Sequence, residues 1–417
     1  MWTAGFFGEQ HMDDRDVVIV SAVRTPFGRF DGVMKEIPSI DLGVLVLKEA
    51  VRRIEVGPQE VDEVYYGTCI PAEYAPYLDV PARQVTLLAG FPADNKSLTI
   101  DRACCSSMTA LRLGSRAIRS GEAEVVIAMG SESMGNTCHL VEAKYSRWGN
   151  RLGPIPMEDV LFELGYAKKG FHSVALDAGD VALEYGISRE EQDRWGLRSH
   201  QRWFQAYREG KYKIGEEILP VEISQKKGDP IVMDRDEQPR ETSLEKLARL
   251  KTIYGSPTVT PGNAPGMNSG AAAIVIMSRR KAREKGLKCL AAIEAMEWAA
   301  EDPKYMATLP AKAIEKVLAR AHKQIKDMDL IEINEAFAAV TLVSVKILAG
   351  MDKREIPGIQ ERVNVNGGAI AIGHPVGASG ARITMTLMYE LLRRKGGLGV
   401  AAICGGLGQG ESVILKV

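Results

Sequence analysis

The sequence has no charge imbalance and no long hydrophobic segment. Its 417 residues include 53 Lys and Arg and 54 Asp and Glu, so the formal net charge is −1. Proteins that bind nucleic acid through phosphate contacts are usually basic, so this balance argues against a nucleic-acid partner. No apolar run approaches the roughly 18 residues of a membrane-spanning helix, so no membrane partner is expected. With 45% hydrophobic residues, the composition is that of a folded protein of two or three domains.

Cysteine is scarce, and its spacing excludes two common uses. The six cysteines form no C-x-x-C pair, and none stands at zinc-ligand spacing from a histidine, so no metal site is expected. A disulfide framework is typical of short, cysteine-dense secreted chains, which this one is not. Residues 1–16 contain one basic residue and no apolar core, and they therefore do not resemble a signal peptide. We expect a cytoplasmic protein, with an organelle matrix left open.

Glycine is the residue that the sequence has in excess. The chain holds 41 glycines, about a tenth of its length, against a typical share of about 7%. Many of them fall in two short stretches, 367–380 and 405–410. Because glycine tolerates positive φ and lets the backbone approach a ligand closely, both stretches are candidate site segments.

Continuous apolar runs alternate with amphipathic helical segments along the chain. Strands are predicted at 17–20, 61–67 and 125–129, and a helix at 41–53. Apolar strands separated by helices are typical of a parallel or mixed sheet that is covered on both faces. The sequence therefore predicts an α/β fold.

The second half of the chain repeats the order of the first at an offset of about 270 residues. A predicted helix at 309–321 and strands at 328–333 and 400–403 match elements of the first half. Duplication is the simplest explanation, although α/β proteins can look loosely self-similar without it. The polar segment 139–258 between the halves is interpreted as an insertion over one face of the core, with a helix that begins in a capping box at Ser188.

Two adjacent cysteines lie at a predicted strand-to-helix turn. Residues 98–100 are predicted as a strand and residues 110–120 as a helix, with Cys104 and Cys105 between them. The unpaired N–H groups at the start of a helix lower the pKa of a thiol and favour the reactive thiolate. A buried structural cysteine is the alternative interpretation.

Three further segments contain residues that could act together with such a thiol. His374 lies between a glycine and a proline, and imidazole is the natural base for a thiol. Cys404 opens the second glycine-rich stretch, whose spacing and following strand do not fit a dinucleotide fingerprint. Asn334 lies in an Asn-Glu-Ala-Phe sequence after a strand, where asparagine is usually a turn or cap residue, so this segment alone is weak evidence of function.

Together these four segments resemble the thiolase family, from residue 21 to the C-terminus. Cys104 matches the family's nucleophile, Asn334 its N-E-A-F motif, and His374 its G-H-P-x-G-x-S-G motif. Cys404 lies in a segment similar to the family's C-x-G-G motif. The resemblance implies a five-layer α-β-α-β-α fold of two duplicated halves, each a mixed sheet covered by helices, with an inserted loop domain. The expected boundaries are 16–138 plus 259–284 for the N-terminal half, 139–258 for the loop domain, and 285–417 for the C-terminal half.

The resemblance also implies roles for these residues in making or breaking a carbon–carbon bond between acyl-CoA units. His374 would accept the Cys104 proton, and the thiolate would form a covalent acyl intermediate. Cys404 would move the α-proton of acetyl-CoA. Asn334 (through a water) and His374 would stabilise the enolate, and the N–H groups of Cys104 and Gly406 would stabilise the tetrahedral intermediate.

CoA and acetyl-CoA would be substrates, with no permanently bound cofactor, and the protein would be a homodimer or homotetramer. Asn263 and Pro265 lie where contacts to CoA are expected, although Pro265 replaces the usual serine. Arg240 could bind a CoA phosphate or belong to a solvated charged face.

Several positions depart from the family pattern. Ser107 and Met108 stand where Gly-Leu is usual, and residues 174–180 replace the stretch that covers the acyl pocket. These changes put acyl specificity in doubt more than reaction class. A decarboxylating condensing enzyme is disfavoured because Cys404 is present. A weakly active acyl-CoA-binding subunit of a larger complex is kept as the alternative function.

Overall fold

The computed structural model describes residues 14–74, 79–162 and 169–417. The stretch for which no signal peptide is predicted therefore lies almost wholly outside the described residues. Within them the strands are β1 (Val17–Arg24), β2 (Gly28–Arg29), β3 (Glu63–Gly67), β4 (Lys96–Ile100), β5 (Val125–Ser133), β6 (Val221–Ile223), β7 (Ile231–Met233), β8 (Asn268–Ser278), β9 (Ala291–Ala300), β10 (Leu330–Ile333), β11 (Leu398–Gly405) and β12 (Gln409–Lys416).

The helices of the same residues fall before, between and after these strands. They are α1 (Ser39–Arg52), α2 (Pro71–Tyr74), α3 (Pro81–Leu88), α4 (Ser106–Ser120), α5 (Ala143–Ser146), α6 (Val174–Glu184), α7 (Arg189–Arg208), α8 (Leu244–Ala248), α9 (Arg279–Glu284), α10 (Leu309–Arg320), α11 (Ala338–Leu348), α12 (Ile356–Arg362), α13 (Ala369–Ile372) and α14 (Ser379–Arg393). The strands and helices expected from hydrophobic periodicity are confirmed with shifts of a few residues at their ends.

Each half of the chain forms a half-sheet with the same strand topology. In the first half the strand order is β4-β3-β5-β8-β1, and in the second it is β10-β11-β12-β9. In both, a parallel pair (β3–β5, β10–β11) is followed by two antiparallel pairings. The repeat read from the sequence therefore corresponds to a repeated topology.

The two half-sheets meet at their inner edges. β1 pairs with β9 through Val18–Ala292 and Ile19–Ala291, which joins both halves into one ten-stranded sheet within the described residues. Periodicity within each half could not predict this pairing, because it depends on how the completed halves meet.

Three apolar cores separate five layers. The central core holds α4 and α14 between the two half-sheets, while α1 covers the outer face of the first half and α10 and α11 the outer face of the second. The central helices touch at Gly380, where an added Cβ would lie 2.6 Å from the backbone N of Met108. This contact requires glycine, and it brings the N-termini of α4 and α14 close together.

The inserted segment follows β5, at the position where the second half has only the turn 406–408 between β11 and β12. Its helices α6 and α7 pack on α11 and α13 of the second half. The capping box predicted at Ser188 is confirmed, since its hydroxyl accepts the N–H of Glu191 and the Glu191 carboxylate accepts the N–H of Ser188. The domain boundaries proposed from the sequence remain predictions.

Candidate functional site

Cys104 occupies the sharp turn between β4 and α4. Ala103, directly before it, has φ +50, a conformation that costs a non-glycine residue about 1–2 kcal/mol. The turn is closed by Ser106, whose hydroxyl donates to the carbonyl of Ala103 and accepts the N–H of Arg102. The strand-turn-helix setting predicted for the two cysteines is confirmed, and it directs Cys104 towards the second half of the chain. Cys105, by contrast, is fully buried in the central core.

His374 faces the Cys104 thiol. Its Nε2 lies 3.2 Å from Sγ of Cys104, and its Nδ1 lies 2.6 Å from the hydroxyl oxygen of Ser379. The single Ser379 hydroxyl proton is directed to the carbonyl of Pro375, at 2.9 Å. Ser379 therefore accepts the Nδ1 proton, which leaves Nε2 unprotonated and able to take the proton of Cys104. This is the tautomer that a general base requires.

The backbone around His374 is held by close contacts that only glycine permits. Gly373 has φ +112, and a Cβ there would lie 2.9 Å from the side chain of Asn268. Asn268 in turn accepts the His374 N–H at 2.8 Å. Glu132 accepts the N–H of Gly377, and a Cβ on that glycine would also meet the Glu132 carboxylate at 2.9 Å. The first glycine-rich stretch thus fixes the imidazole.

Both reacting groups are neutral in the unliganded protein. Burial, assisted by the nearby positive charge of Arg382, lowers the pKa of His374 to about 3. Burial raises the pKa of Cys104 to about 12, although the backbone amides of Cys104 and Gly406 favour the thiolate. The expected lowering of the thiol pKa at the helix start is therefore wrong, because desolvation outweighs the amide dipoles. A Cys104 thiol in this setting could act as a nucleophile only if its proton passed to His374 at the same time.

Two backbone N–H groups from opposite halves of the chain converge on Sγ of Cys104. One belongs to Cys104 itself and the other to Gly406, in the turn between β11 and β12. Paired amides of this kind stabilise a negatively charged oxygen. Leu407 follows Gly406 in place of the last glycine of the C-x-G-G motif, so the similarity ends at the third position of the motif. Leu407 has φ +60, so the backbone keeps a left-handed turn there without glycine.

Cys404 lies at the end of β11, fully buried, on the side of the site towards the second half. Burial raises the pKa of its thiol well above the usual value, and the proximity of Cys104 raises it further. The structure therefore brings a second protonated thiol close to the first. Such a group can give a proton, and it can take one back only after it has become a thiolate.

Asn334 follows β10 and presents an amide that is unsatisfied within the described residues. Its Oδ1 accepts from Nη2 of the buried Arg382 at 3.2 Å, while its Nδ2 is buried and has no hydrogen-bond partner. An orphaned buried donor costs about 1–3 kcal/mol. At this position it is suited to a substrate oxygen or a bridging water.

Glu335, which sequence reasoning passed over as the second residue of the N-E-A-F motif, anchors this region. Its carboxylate accepts from Nε1 of Trp195, the hydroxyl of Ser199, Nδ2 of Asn364 and the N–H of Ile370. The first two belong to α7, so this buried carboxylate fastens the inserted segment to the second half beside Asn334. A buried acidic residue inside a motif was the available clue.

Two of the residues expected to contact CoA, Asn263 and Pro265, lie in one loop. Asn263 is fully buried, and its amide is used within the protein: Oδ1 accepts the N–H of Thr260, and Nδ2 donates to Asp193 and to the carbonyl of Thr258. Its side chain therefore shapes the loop, and its contact with CoA remains a prediction. Pro265 is half-buried two residues further on.

Arg240 is also less free than a solvated charge would be. Its guanidinium donates to the carbonyl of Pro261, and burial lowers its pKa. Its backbone N–H points to the buried His200. Arg240 therefore braces the loop that precedes Asn263 and Pro265 and keeps other N–H donors for a ligand.

The departures from the family pattern have local structural explanations. The hydroxyl of Ser107 accepts the N–H of Ala381, which links the first turns of α4 and α14. Met108 fills the contact with Gly380 described above. Residues 174–180 form the first turns of α6, where a Cβ on Gly179 would clash with the Ser256 hydroxyl.

Cys104 packs against a small apolar cluster. Ile70, Met134 and Val376 are buried there, and Leu161 and Met267 pack against them. Methionine fills irregular space and changes rotamer readily. The cluster is therefore a deformable wall next to the thiol.

The chain is similar to known proteins over nearly its whole length. Residues 17–280 match the family described as thiolase, N-terminal domain, and residues 287–417 match thiolase, C-terminal domain. The chain is 42% identical to the acetyl-CoA acetyltransferase of Cupriavidus necator, over 96% of this chain and 99% of the relative. It is 39% identical to that of Syntrophomonas wolfei, with the same coverage.

Solved structures agree as well. The crystal structure of the Bacillus anthracis acetyl-CoA acetyltransferase superposes with a TM-score of 0.88 at 40% identity, covering 96% of this chain and 98% of that one. Human mitochondrial 3-ketoacyl-CoA thiolase in complex with CoA gives 0.87 at 38% identity, covering 97% and 98%.

Proposed function

The chain belongs to the thiolase family, and from that premise we propose that it transfers acyl groups to and from CoA through Cys104. In one direction it cleaves a 3-ketoacyl-CoA with CoA, and in the other it condenses an acyl-CoA with acetyl-CoA. The observation that carries this proposal is the convergence on one thiol of a correctly protonated imidazole, a second thiol and two backbone amides.

The first half-reaction uses Cys104 and His374. As Sγ attacks the thioester or ketone carbonyl, its proton passes over the 3.2 Å separation to Nε2 of His374. The carbonyl oxygen becomes negatively charged, and the N–H groups of Cys104 and Gly406 are directed towards this region. Each well-aimed donor of this kind is worth about 3–4 kcal/mol in a shielded site.

The second half-reaction uses Cys404 and Asn334. In condensation, Cys404 first gives its proton to the CoA thiolate that leaves on acylation, and the resulting Cys404 thiolate removes the α-proton of acetyl-CoA. In cleavage the Cys404 thiol gives its proton to the departing acetyl-CoA carbanion. The enolate oxygen is stabilised by the unpartnered Nδ2 of Asn334, directly or through a water, together with His374. Since each step uses a group of this chain, CoA and acetyl-CoA act as substrates.

The acyl group is proposed to extend into the apolar cluster of Ile70, Met134, Leu161, Met267 and Val376. Met134 and Met267 in this wall are flexible, so an acetyl group makes the smallest demand on the packing and each added carbon a larger one. We therefore propose acetoacetyl-CoA as the best substrate, with activity falling as the chain lengthens, and a place in fatty acid metabolism.

Thiolysis of 3-ketoacyl-CoAs of increasing chain length, followed by the loss of enolate absorbance, tests this function. Cleavage of acetoacetyl-CoA that is abolished in Cys104→Ala supports it. Cleavage that persists in Cys104→Ala contradicts the role of Cys104. A wild-type protein that binds acetyl-CoA but cleaves no member of the series favours the alternative, a weakly active acyl-CoA-binding subunit.

The proposal includes a homo-oligomer, as a dimer or tetramer, in the cytoplasm. β4 is one of the two edge strands of the sheet that the described residues form, and Leu98 on it is 47% exposed, beside exposed Val80, Leu87 and Leu88. An unpaired edge with apolar neighbours favours pairing with a second copy. All six cysteines are free thiols, which suits a reducing compartment. No helix among the described residues is both long and apolar enough to cross a membrane. Light scattering of the purified protein tests the oligomeric state.

A further inference from the structure

The two amides that face Cys104 belong to different halves of the chain, so their separation depends on a contact between two turns. The Cys104 N–H lies in the turn between β4 and α4, and the Gly406 N–H in the turn between β11 and β12. The hydrogen bonds within each turn do not hold that turn in place relative to the other turn.

Side chains of Arg102 and Gln409 connect these turns. Nε of Arg102 donates to Oε1 of Gln409 at 3.0 Å, across 307 residues of sequence. Nε2 of Gln409 then donates to the carbonyl of Gly406 at 3.1 Å. On the other side, the Arg102 carbonyl accepts the N–H of Cys105 at 3.1 Å. A continuous path of hydrogen bonds therefore runs from the turn that carries Cys104 to the turn that carries Gly406.

The Arg102 guanidinium is itself held firmly. Its Nη1 donates to the hydroxyl of Thr109 at 2.8 Å and to the buried carboxylate of Glu411. Trp298, which is 44% exposed, stacks over it, with the guanidinium carbon 4.8 Å from the ring centroid. Because the planar guanidinium has several donors in fixed directions, it can bind Gln409 and Glu411 at once.

We propose that Arg102 and Gln409 are positioning residues that hold the amides of Cys104 and Gly406 at the spacing required to stabilise the charged oxygen. This inference rests on the proposed function for its catalytic consequence. Misplacement of one donor by a fraction of an ångström weakens its contribution steeply. Neither side chain touches the reacting atoms.

Three variants separate this role from general stability. Arg102→Met removes the guanidinium but keeps an extended side chain against Trp298. Gln409→Glu keeps an acceptor for Arg102 but loses the donor to Gly406. Arg112→Met is the matched control, because Arg112 stacks on the same Trp298 at 4.0 Å and lies 3.9 Å from the same Glu411 without contacting Gln409.

We expect Arg102→Met and Gln409→Glu to lower kcat for acetoacetyl-CoA thiolysis by about 10- to 100-fold with KM little changed. Arg112→Met is expected to stay within about twofold of wild type. Alkylation of Cys104 by iodoacetamide, measured by peptide mass spectrometry, is expected to slow in the first two variants only, because the thiolate loses the Gly406 amide. If Arg102→Met does not fold, Gln409→Glu, which retains the contact to Arg102, gives the result.

The inference is overturned if Arg112→Met loses as much kcat as Arg102→Met, or if the losses appear only in KM. Wild-type thiolysis with unchanged kcat and alkylation in Arg102→Met and Gln409→Glu refutes the bridge and leaves the proposed function standing. If the wild-type protein shows no thiolysis but alkylation is slowed in these two variants, the bridge stands and the proposed function is refuted.

Discussion

The hydrogen bond that Ser379 accepts from Nδ1 of His374 decides whether His374 can act as a base. Its hydroxyl accepts the Nδ1 proton of His374 at 2.6 Å and donates to Pro375 at 2.9 Å. In Ser379→Ala the Nδ1–H is buried without a partner, at a cost of about 1–3 kcal/mol to this tautomer. The competing tautomer, with the proton on Nε2, faces Cys104 with a donor and cannot take its proton.

Since about 1.4 kcal/mol corresponds to a factor of ten in rate, we expect kcat/KM for acetoacetyl-CoA thiolysis to fall by about 10- to 100-fold in Ser379→Ala. The matched control is Thr384→Val, because Thr384 is also buried in α14 and donates to a carbonyl four residues earlier, at 2.8 Å. Both variants lose one buried hydroxyl, but only the first touches His374. Activity of Ser379→Ala within about twofold of Thr384→Val would refute the tautomer argument.

Three further outcomes are expected. Cys404→Ser should still form the acyl-enzyme, seen by mass spectrometry, but should largely lose condensation, measured by the formation of acetoacetyl-CoA; equal loss of both half-reactions contradicts its role. Glu335→Gln places an amide where four donors converge, so chemical denaturation should show a loss of about 1–3 kcal/mol, and an unchanged midpoint contradicts the anchoring role. Burial lowers the pKa values of His374 and His200 to about 3 in the folded protein. Below about pH 6.5 these histidines are therefore protonated in the unfolded chain and remain neutral in the folded one. The melting temperature should therefore fall between about pH 7 and pH 5, and less steeply in His200→Gln; an identical slope in that variant contradicts the assignment.

Much of this architecture follows from local sequence. The strands around Val125 and Val400 are predictable because continuous apolar runs need cover on both faces, and the start of α7 because Ser188 and Glu191 cap each other. The sequence also indicated the residues at the candidate site, because its glycine-rich stretches, an imidazole and two thiols lie close to the ends of predicted strands.

Other features depend on contacts between distant parts of the chain, which periodicity does not report. The pairing of β1 with β9 is one example. The raised pKa of Cys104 is another, because helix position favours the thiolate whereas the burial created by both halves opposes it. The bond between Arg102 and Gln409 and the internal use of the Asn263 amide are visible only when the turns are assembled.

The most direct test of the central claim is to find where an acyl group resides on the enzyme. The protein is incubated with acetyl-CoA, quenched in acid and digested, and its cysteine peptides are examined by mass spectrometry. Our account predicts an acetyl thioester on Cys104, absent from Cys104→Ala and still formed in Cys404→Ser. Acetylation of a different residue, or turnover of acetoacetyl-CoA by Cys104→Ala, would contradict it.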